Sequence, residues 1–187
     1  MMFEGTMKID LGMLEFIQTY LRCDLLDKVM PFITKLGDGG ILWICIALLL
    51  LMFPRTRKAG AAMAVSLGLE VICCNVFLKP LVARPRPCDI DQTVRLLIPH
   101  PEGYSFPSGH TSASFAAASA LFFDKNRFRV PALALAALIG FSRLYLYVHY
   151  PTDVLAGALV GIMIGWLGNM LVTSIGEKLH GKLHVSV

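Results

Sequence analysis

From residue 38 onward the chain alternates long apolar stretches with short polar connections. The apolar blocks run from Asp38 to Phe53, Ala59 to Val82, Ser108 to Phe123, Val130 to Tyr147 and Thr152 to Val172. They show neither the two-residue alternation of a half-buried strand nor the stripe of a helix with one wet face. Continuous apolar blocks of this kind predict membrane-spanning helices, which need about 20 apolar residues to cross the hydrocarbon. The first and third blocks are short for a span, and their flanks extend them. The fifth contains Gly157, Gly161, Gly165 and Gly168. Small residues at that spacing let helices approach closely, so these glycines are read as a packing surface.

The first 38 residues follow a different pattern. LEFIQTYLRCDLLDKVMPFITKLGDGG mixes large apolar side chains with Arg22, Asp24, Asp27, Lys28 and Lys35. Burying all those charges in hydrocarbon is too costly for a span. Two short amphipathic helices in the interface, roughly 11–21 and 24–36, fit better. The segment also lacks the charged start, apolar centre and small-residue cleavage site of a signal peptide. The expected architecture is therefore an all-α integral membrane protein with five transmembrane helices and N-terminal interfacial helices. It reads as one domain, 1–187, with residues 1–38 interfacial.

Composition supports the membrane assignment. Hydrophobic residues make up 56 % of the chain and charged residues 16 %, against about a quarter charged in soluble domains. Mean hydropathy is +0.64. The formal charge of +4 sits largely in short connections and marks orientation. With no zinc spacing and no basic-aromatic stripe, it gives no nucleic-acid signal. Arg55, Arg57 and Lys58, then Lys125, Arg127 and Arg129, then Lys178 and Lys182 share one side of a five-span arrangement. The positive-inside rule makes that side cytoplasmic. Connections 83–106 and 147–151 then face outward. Arg84, Arg86 and Arg95 oppose the rule there, which a functional duty would explain.

The cysteines form no framework. Cys45, Cys73 and Cys74 read as small buried residues of apolar blocks, and nothing in the spacing shows that Cys23 meets Cys88. Tyr145, Tyr147 and Tyr150 resemble an interfacial aromatic belt, and Trp43 and Trp166 read as lipid-facing or packing residues. His100 reads as a loop residue. His180 and His184 share a tail face at a spacing that can bind metal, although a solvated tail is the simpler reading.

Three polar clusters fall at the outward ends of the apolar blocks. The first is KPLVARPRP, with Lys79 and Arg86–Pro87. The second is PSGH, Pro107 to His110. The third is SRLYLYVHYPTD, with Ser142, Arg143, His149 and Asp153. Lys79, Arg86 and Arg143 provide three cations suited to phosphate oxygens, the guanidiniums by two-pronged hydrogen bonds. Any one of them alone could be a snorkelling anchor. Ser108 is placed to cap a helix, and its hydroxyl could instead contact a phosphate, while Gly109 lets an anion approach the exposed N–H groups. His110 would sit by a leaving oxygen as general acid. Pro151 favours a helix start near Tyr150 or Thr152, which puts Asp153 in the first turn. There it could cap the helix or fix the tautomer of His149 and aim its other nitrogen at phosphorus.

Together these clusters resemble the three-part signature of the type 2 phosphatidic acid phosphatase (PAP2) superfamily. Lysine, six residues, arginine and proline occur as Lys79 to Pro87; PSGH as Pro107 to His110; and serine, arginine, five residues, histidine, three residues and aspartate as Ser142 to Asp153. No signature position is substituted. The resemblance implies a lipid phosphatase with a catalytic region from 79 to 153, in which His149 is the nucleophile of a phosphohistidine intermediate. It implies that Asp153 orients His149, that His110 protonates the leaving group, and that Lys79, Arg86, Ser108, Gly109 and Arg143 hold the phosphate. No metal or cofactor is implied. Many bacterial relatives have six spans, one more than counted here. Soluble haloperoxidases share the same phosphate site, but five apolar blocks disfavour that class. The expected substrate is a membrane lipid phosphate or diphosphate, undecaprenyl diphosphate first, with Arg84, Arg86 and Arg95 able to meet a second phosphate. Phosphatidylglycerol phosphate and phosphatidic acid are the rivals. A non-catalytic phosphate-binding or transport protein is the alternative of another class.

Overall fold

A computed structural model describes the backbone of residues 4–185 and the side chains of residues 5–178. His180 and His184 lie outside the described side chains. The described chain is all-helical. Its elements are α1 (Glu4–Phe16, continued by a π-helical turn, Ile17–Leu21), α2 (Asp24–Lys35), α3 (Ile41–Met52), α4 (Arg57–Glu70), a π-helical continuation (Val71–Leu78), α5 (Lys79–Val82), α6 (Pro87–Ile90), α7 (Gly109–Phe123), α8 (Arg129–Tyr145) and α9 (Pro151–Val185).

Among the described residues, two helical stretches are long and apolar enough to cross a membrane, Arg57–Ile90 and Pro151–Lys178. A third exists if Asp24–Lys35 and Asp38–Met52, bent by 45°, form one broken span. With 15 and 17 residues, α7 and α8 are shorter than the roughly 20 residues usual for a span. The composition of α7 explains its sequence: Thr111, Ser112, Ala113, Ser114, Ala116 to Leu121 are all buried. It is the central helix, built from alanine and serine because its neighbours approach from every side. Its most extensive partner is α9.

The glycines of α9 make that approach possible. A Cβ at Gly157 would lie 2.8 Å from the Ser108 carbonyl oxygen, one at Gly161 2.5 Å from that of Ser112, and one at Gly165 2.6 Å from that of Ala116. At Gly168 a Cβ would instead meet the Ser66 hydroxyl of α4, with the Ala62 carbonyl oxygen at 3.1 Å. The first three are backbone contacts that no side chain fits between, as the packing reading requires.

Other readings change. The first helix begins at Glu4 rather than near residue 11, and Asp10, Leu14 and Ile17 on it are buried. The tyrosines form no belt, because Tyr145, Tyr147 and Tyr150 are all buried. Tyr145 donates its hydroxyl to Asp27 at 2.6 Å, which pins α8 to α2. Trp43 is buried and donates its indole N–H to Ser114 at 2.9 Å, while Trp166 is exposed. All five cysteines are free, and Cys45 is exposed rather than buried.

Candidate active site

The end of α4, the start of α7, the end of α8 and the start of α9 each contribute to one polar region. Below Lys79 the π-helical stretch widens α4, and Ala83, at φ +48°, ends α5 in the left-handed conformation. The connection 83–106 then folds back over the bundle. Pro151 occupies the first turn of α9, where its missing N–H leaves no orphan, and Asp153 Oδ2 accepts the Tyr150 N–H at 2.9 Å. The expected start of this helix and the place of Asp153 in its first turn are therefore both present.

His149 lies just before that turn and is 1 % exposed. Arg86 Nη1 lies 3.0 Å from His149 Nε2. A guanidinium has only donors, so Nε2 must offer a lone pair and the proton must sit on Nδ1. Nδ1 faces Asp153 Oδ2 at 3.5 Å and Ser105 Oγ at 3.4 Å. Both are long for hydrogen bonds, as is common in an unliganded site. Ser105 also donates to Asp153 Oδ2. Burial pushes the imidazole's pKa down to about 3; the bond to Asp153 opposes this, and Arg143 and Arg86 reinforce it. The neutral ring, with its Nε2 lone pair turned toward Arg86, is thus the stable form.

Arg86 is fixed by backbone oxygens around its whole fork. It donates to Val148 at 3.0 Å, Gly103 at 3.0 Å, Glu102 at 3.1 Å and Tyr104 at 3.3 Å. Arg143, also buried, donates to Thr34 Oγ1 on α2 at 2.5 Å. Ser108 holds the N-cap position of α7 but makes no capping bond with its side chain; its hydroxyl accepts from Thr111 Oγ1 at 2.9 Å. Its backbone N–H donates to the Asp153 carbonyl at 3.2 Å, joining the starts of α7 and α9.

Lys79, Gly109 and His110 line a neighbouring cavity of about 340 Å³, together with Glu70, Asn75 and the glycines of 37–40. Lys79 Nζ would lie 3.2 Å from a Cβ at Gly109, so the ammonium sits close against the helix start and would have to shift slightly for any larger residue there. His110 Nε2 lies 2.8 Å from Asp38 Oδ1. Glu70 accepts from Ser112 Oγ at 2.5 Å at the cavity's inner end.

Every residue expected from the motifs therefore lies at this end of the bundle. Arg86, His149 and Asp153 are joined directly, and Lys79, Gly109 and His110 share the cavity. Four partners were not foreseen: Asp10, Asp38, Thr34 and Ser105. The first three come from the segment read as interfacial, and no local motif marks them. Ser105 stands three residues before Ser108, and that proximity was its only signal. Arg84 contradicts the expectation of a second-phosphate contact. It is 3 % exposed, with Nη1 on Asp153 Oδ1 at 2.6 Å and Nη2 on Asp10 Oδ2 at 2.7 Å.

A helical bundle with buried cations around a neutral histidine lone pair defines a membrane enzyme that acts on phosphate esters or diphosphates. The sequence pattern described as the PAP2 superfamily matches residues 59–175, and the chain belongs to that superfamily. It is 35 % identical to an undecaprenyl-diphosphatase of Sulfolobus acidocaldarius, over 79 % of this chain and 71 % of the relative. A second undecaprenyl-diphosphatase, from Bacillus subtilis, is 34 % identical over 76 % of this chain and 73 % of its own length. Among solved structures, a transmembrane PAP2-type phosphatidylglycerolphosphate phosphatase from Bacillus subtilis superimposes with a TM-score of 0.74 at 28 % identity, covering 94 % of this chain and 88 % of the other.

Proposed function

We propose that the enzyme hydrolyses undecaprenyl diphosphate through a phosphohistidine, with His149 as nucleophile. The observation that supports this most is the His149 tautomer: Arg86 faces the Nε2 lone pair while Nδ1 faces Asp153 and Ser105. In the first step Nε2 attacks the terminal phosphorus and the bond to the leaving oxygen breaks. His110 gives that oxygen its proton. In the second step water attacks phosphorus, His110 takes the water's proton, and the N–P bond breaks to release phosphate. Asp153 holds Nδ1–H and stabilises the positive ring during both steps. Lys79, Arg86, Arg143, the Ser108 hydroxyl and the Gly109 N–H surround the phosphoryl oxygens, where preorganised donors stabilise the transition state most. These protein cations supply the positive charge, so the scheme uses no metal ion.

The two diphosphatase relatives favour the carrier lipid, and the solved phosphatidylglycerolphosphate phosphatase keeps that lipid as the second reading. With Arg84 tied to Asp10 and Asp153, the candidates for a second phosphate are Arg95 in the connection 83–106 and Lys79 and His110 along the 340 Å³ cavity. The loop charges favour five spans with the site at the extracytoplasmic face of the cell membrane. An impermeant reagent should label Thr93→Cys in intact cells; labelling only after lysis reverses this orientation. The deciding substrate experiment compares kcat/KM for undecaprenyl diphosphate, phosphatidylglycerol phosphate and phosphatidic acid in matched micelles. A preference for phosphatidylglycerol phosphate, with the diphosphate at background, would replace the first substrate by the second.

A further inference from the structure

We propose that Asp10, on the first helix, is a positioning residue of the reaction, acting on the carboxylate of Asp153 through Arg84. The inference rests on the roles of His149 and Asp153 proposed above. Asp10 lies outside residues 59–175 that carry the superfamily match, and no signature motif includes it or Arg84.

The contacts are buried and continuous. Asp10, Arg84 and Asp153 are 1 %, 3 % and 0 % exposed. The two ends of the Arg84 fork engage different carboxylates, Asp153 Oδ1 at 2.6 Å and Asp10 Oδ2 at 2.7 Å. The guanidinium also lies 3.8 Å from the centre of the Tyr150 ring, which holds its plane beside His149's neighbour in the chain. Asp10 binds the start of α9 as well, accepting the Thr152 N–H at 3.0 Å and the Thr152 hydroxyl at 2.6 Å. One carboxylate of α1 thereby restrains both the helix turn that carries Asp153 and the cation bonded to it.

Charge makes this more than a brace. Attack by His149 places a positive charge on the imidazole, which Asp153 must stabilise. An Arg84 balanced only by Asp153 would draw on that same carboxylate in a buried site, where charges are weakly screened. Asp10 supplies the second negative charge, so the set of Asp10, Arg84 and Asp153 keeps one net negative charge facing the ring.

Asp10→Asn keeps the shape, removes the charge and turns one of the two accepting oxygens into a donor. In the full-length protein in detergent, rapid-quench labelling with terminally labelled lipid phosphate should show His149 phosphorylation slowed about 10- to 100-fold, with KM little changed. Asp10→Glu, which retains the charge, should recover most of the rate. In an Arg84→Gln background Asp10→Asn should have no further effect, because the path runs through Arg84. Arg84 Nη1 also donates to the Thr152 hydroxyl at 2.8 Å, so the contact independent of it is the Thr152 N–H on Asp10 Oδ1. A brace acting only through that bond would slow both backgrounds equally, and that additivity would overturn the proposal. So would an Asp10→Asn enzyme that phosphorylates at the unmodified rate per folded molecule, or an Asp10→Glu enzyme as slow as Asp10→Ala. A phosphoenzyme that persists in His149→Ala defeats the nucleophile assignment itself, a failure separate from any result at Asp10.

Discussion

His149 and His110 each meet a carboxylate, in opposite surroundings. His149 is enclosed, and the acid beside it belongs to a buried network of Ser105, Arg84 and Asp10. His110 lies on the cavity wall and meets Asp38, whose side chain is 59 % exposed. The contrast suits two different duties. A nucleophile gains from one rigid geometry and one tautomer. A general acid must exchange protons with a leaving group and then with water, which requires access. In the proposed reaction a leaving oxygen would replace Asp38 at His110 Nε2, 2.8 Å away, so Asp38 holds the ring without enclosing it.

Removing the enclosed histidine is the strongest test of that division. His149→Ala should lower kcat by at least about 1,000-fold for every substrate, whatever the leaving group, with the protein still monodisperse. Phosphate release assays on lipid phosphates and on p-nitrophenyl phosphate check this. Retained turnover with either substrate would give the nucleophile's role to another residue.

The open histidine should behave selectively. His110→Asn should slow lipid phosphates about 100-fold but p-nitrophenyl phosphate far less, because a phenolate leaves without a proton. Equal losses on both substrates would mean that His110 binds phosphate rather than protonating the leaving oxygen. Asp38→Ala should show the same selectivity at roughly a tenth of that size, about 3- to 10-fold. Asp38→Asn, which can still accept from Nε2, should be milder again. An Asp38→Ala loss as large for p-nitrophenyl phosphate as for lipid would make Asp38 a general structural support.

The same contrast separates what was legible in the sequence from what was not. The enclosed group and, Ser105 apart, its nearest partners lie in short motifs, Lys79 to Pro87, Pro107 to His110 and Ser142 to Asp153, each at a helix end where spacing dictates placement. The α9 glycines were legible because only backbone contact explains small residues at every fourth position. Asp10, Asp38 and Thr34 were not, since each reaches the site from a sequence-distant helix or, for Asp38, the connection between α2 and α3, and has no periodic signature. The charges of 1–38 suggested an interfacial segment because charge near an apolar block ordinarily means water. Asp10 instead has a buried cation as partner, which a one-dimensional pattern does not display. The tyrosines misled for the same reason: an interfacial belt and a packed core beside polar partners present the same residues. Span lengths were blurred by α7, whose short alanine-serine sequence fits the middle of a bundle better than lipid.

The smallest expected effect concerns pH, and it tests the enclosure of His149 without a substitution. His149 must be neutral to attack. Burial holds its pKa near 3, well below the ordinary value of 6.5, so the neutral ring persists as pH falls from 8 to 5. The rate of His149 phosphorylation, measured with a phenolic leaving group that needs no acid, should therefore vary less than about twofold across that range. Stability has the opposite sensitivity. The unfolded chain binds a proton on this residue below about pH 6.5 and the folded chain does not, so the unfolded state binds more protons and stability declines as pH falls through that window. Thermal unfolding of the detergent-solubilised protein should accordingly move to lower temperature between pH 7 and 5, and less so in His149→Ala. A phosphorylation rate that drops tenfold per pH unit below 6.5 would show an ordinary, solvated histidine at position 149, and the distinction between an enclosed nucleophile and an open acid would then be lost.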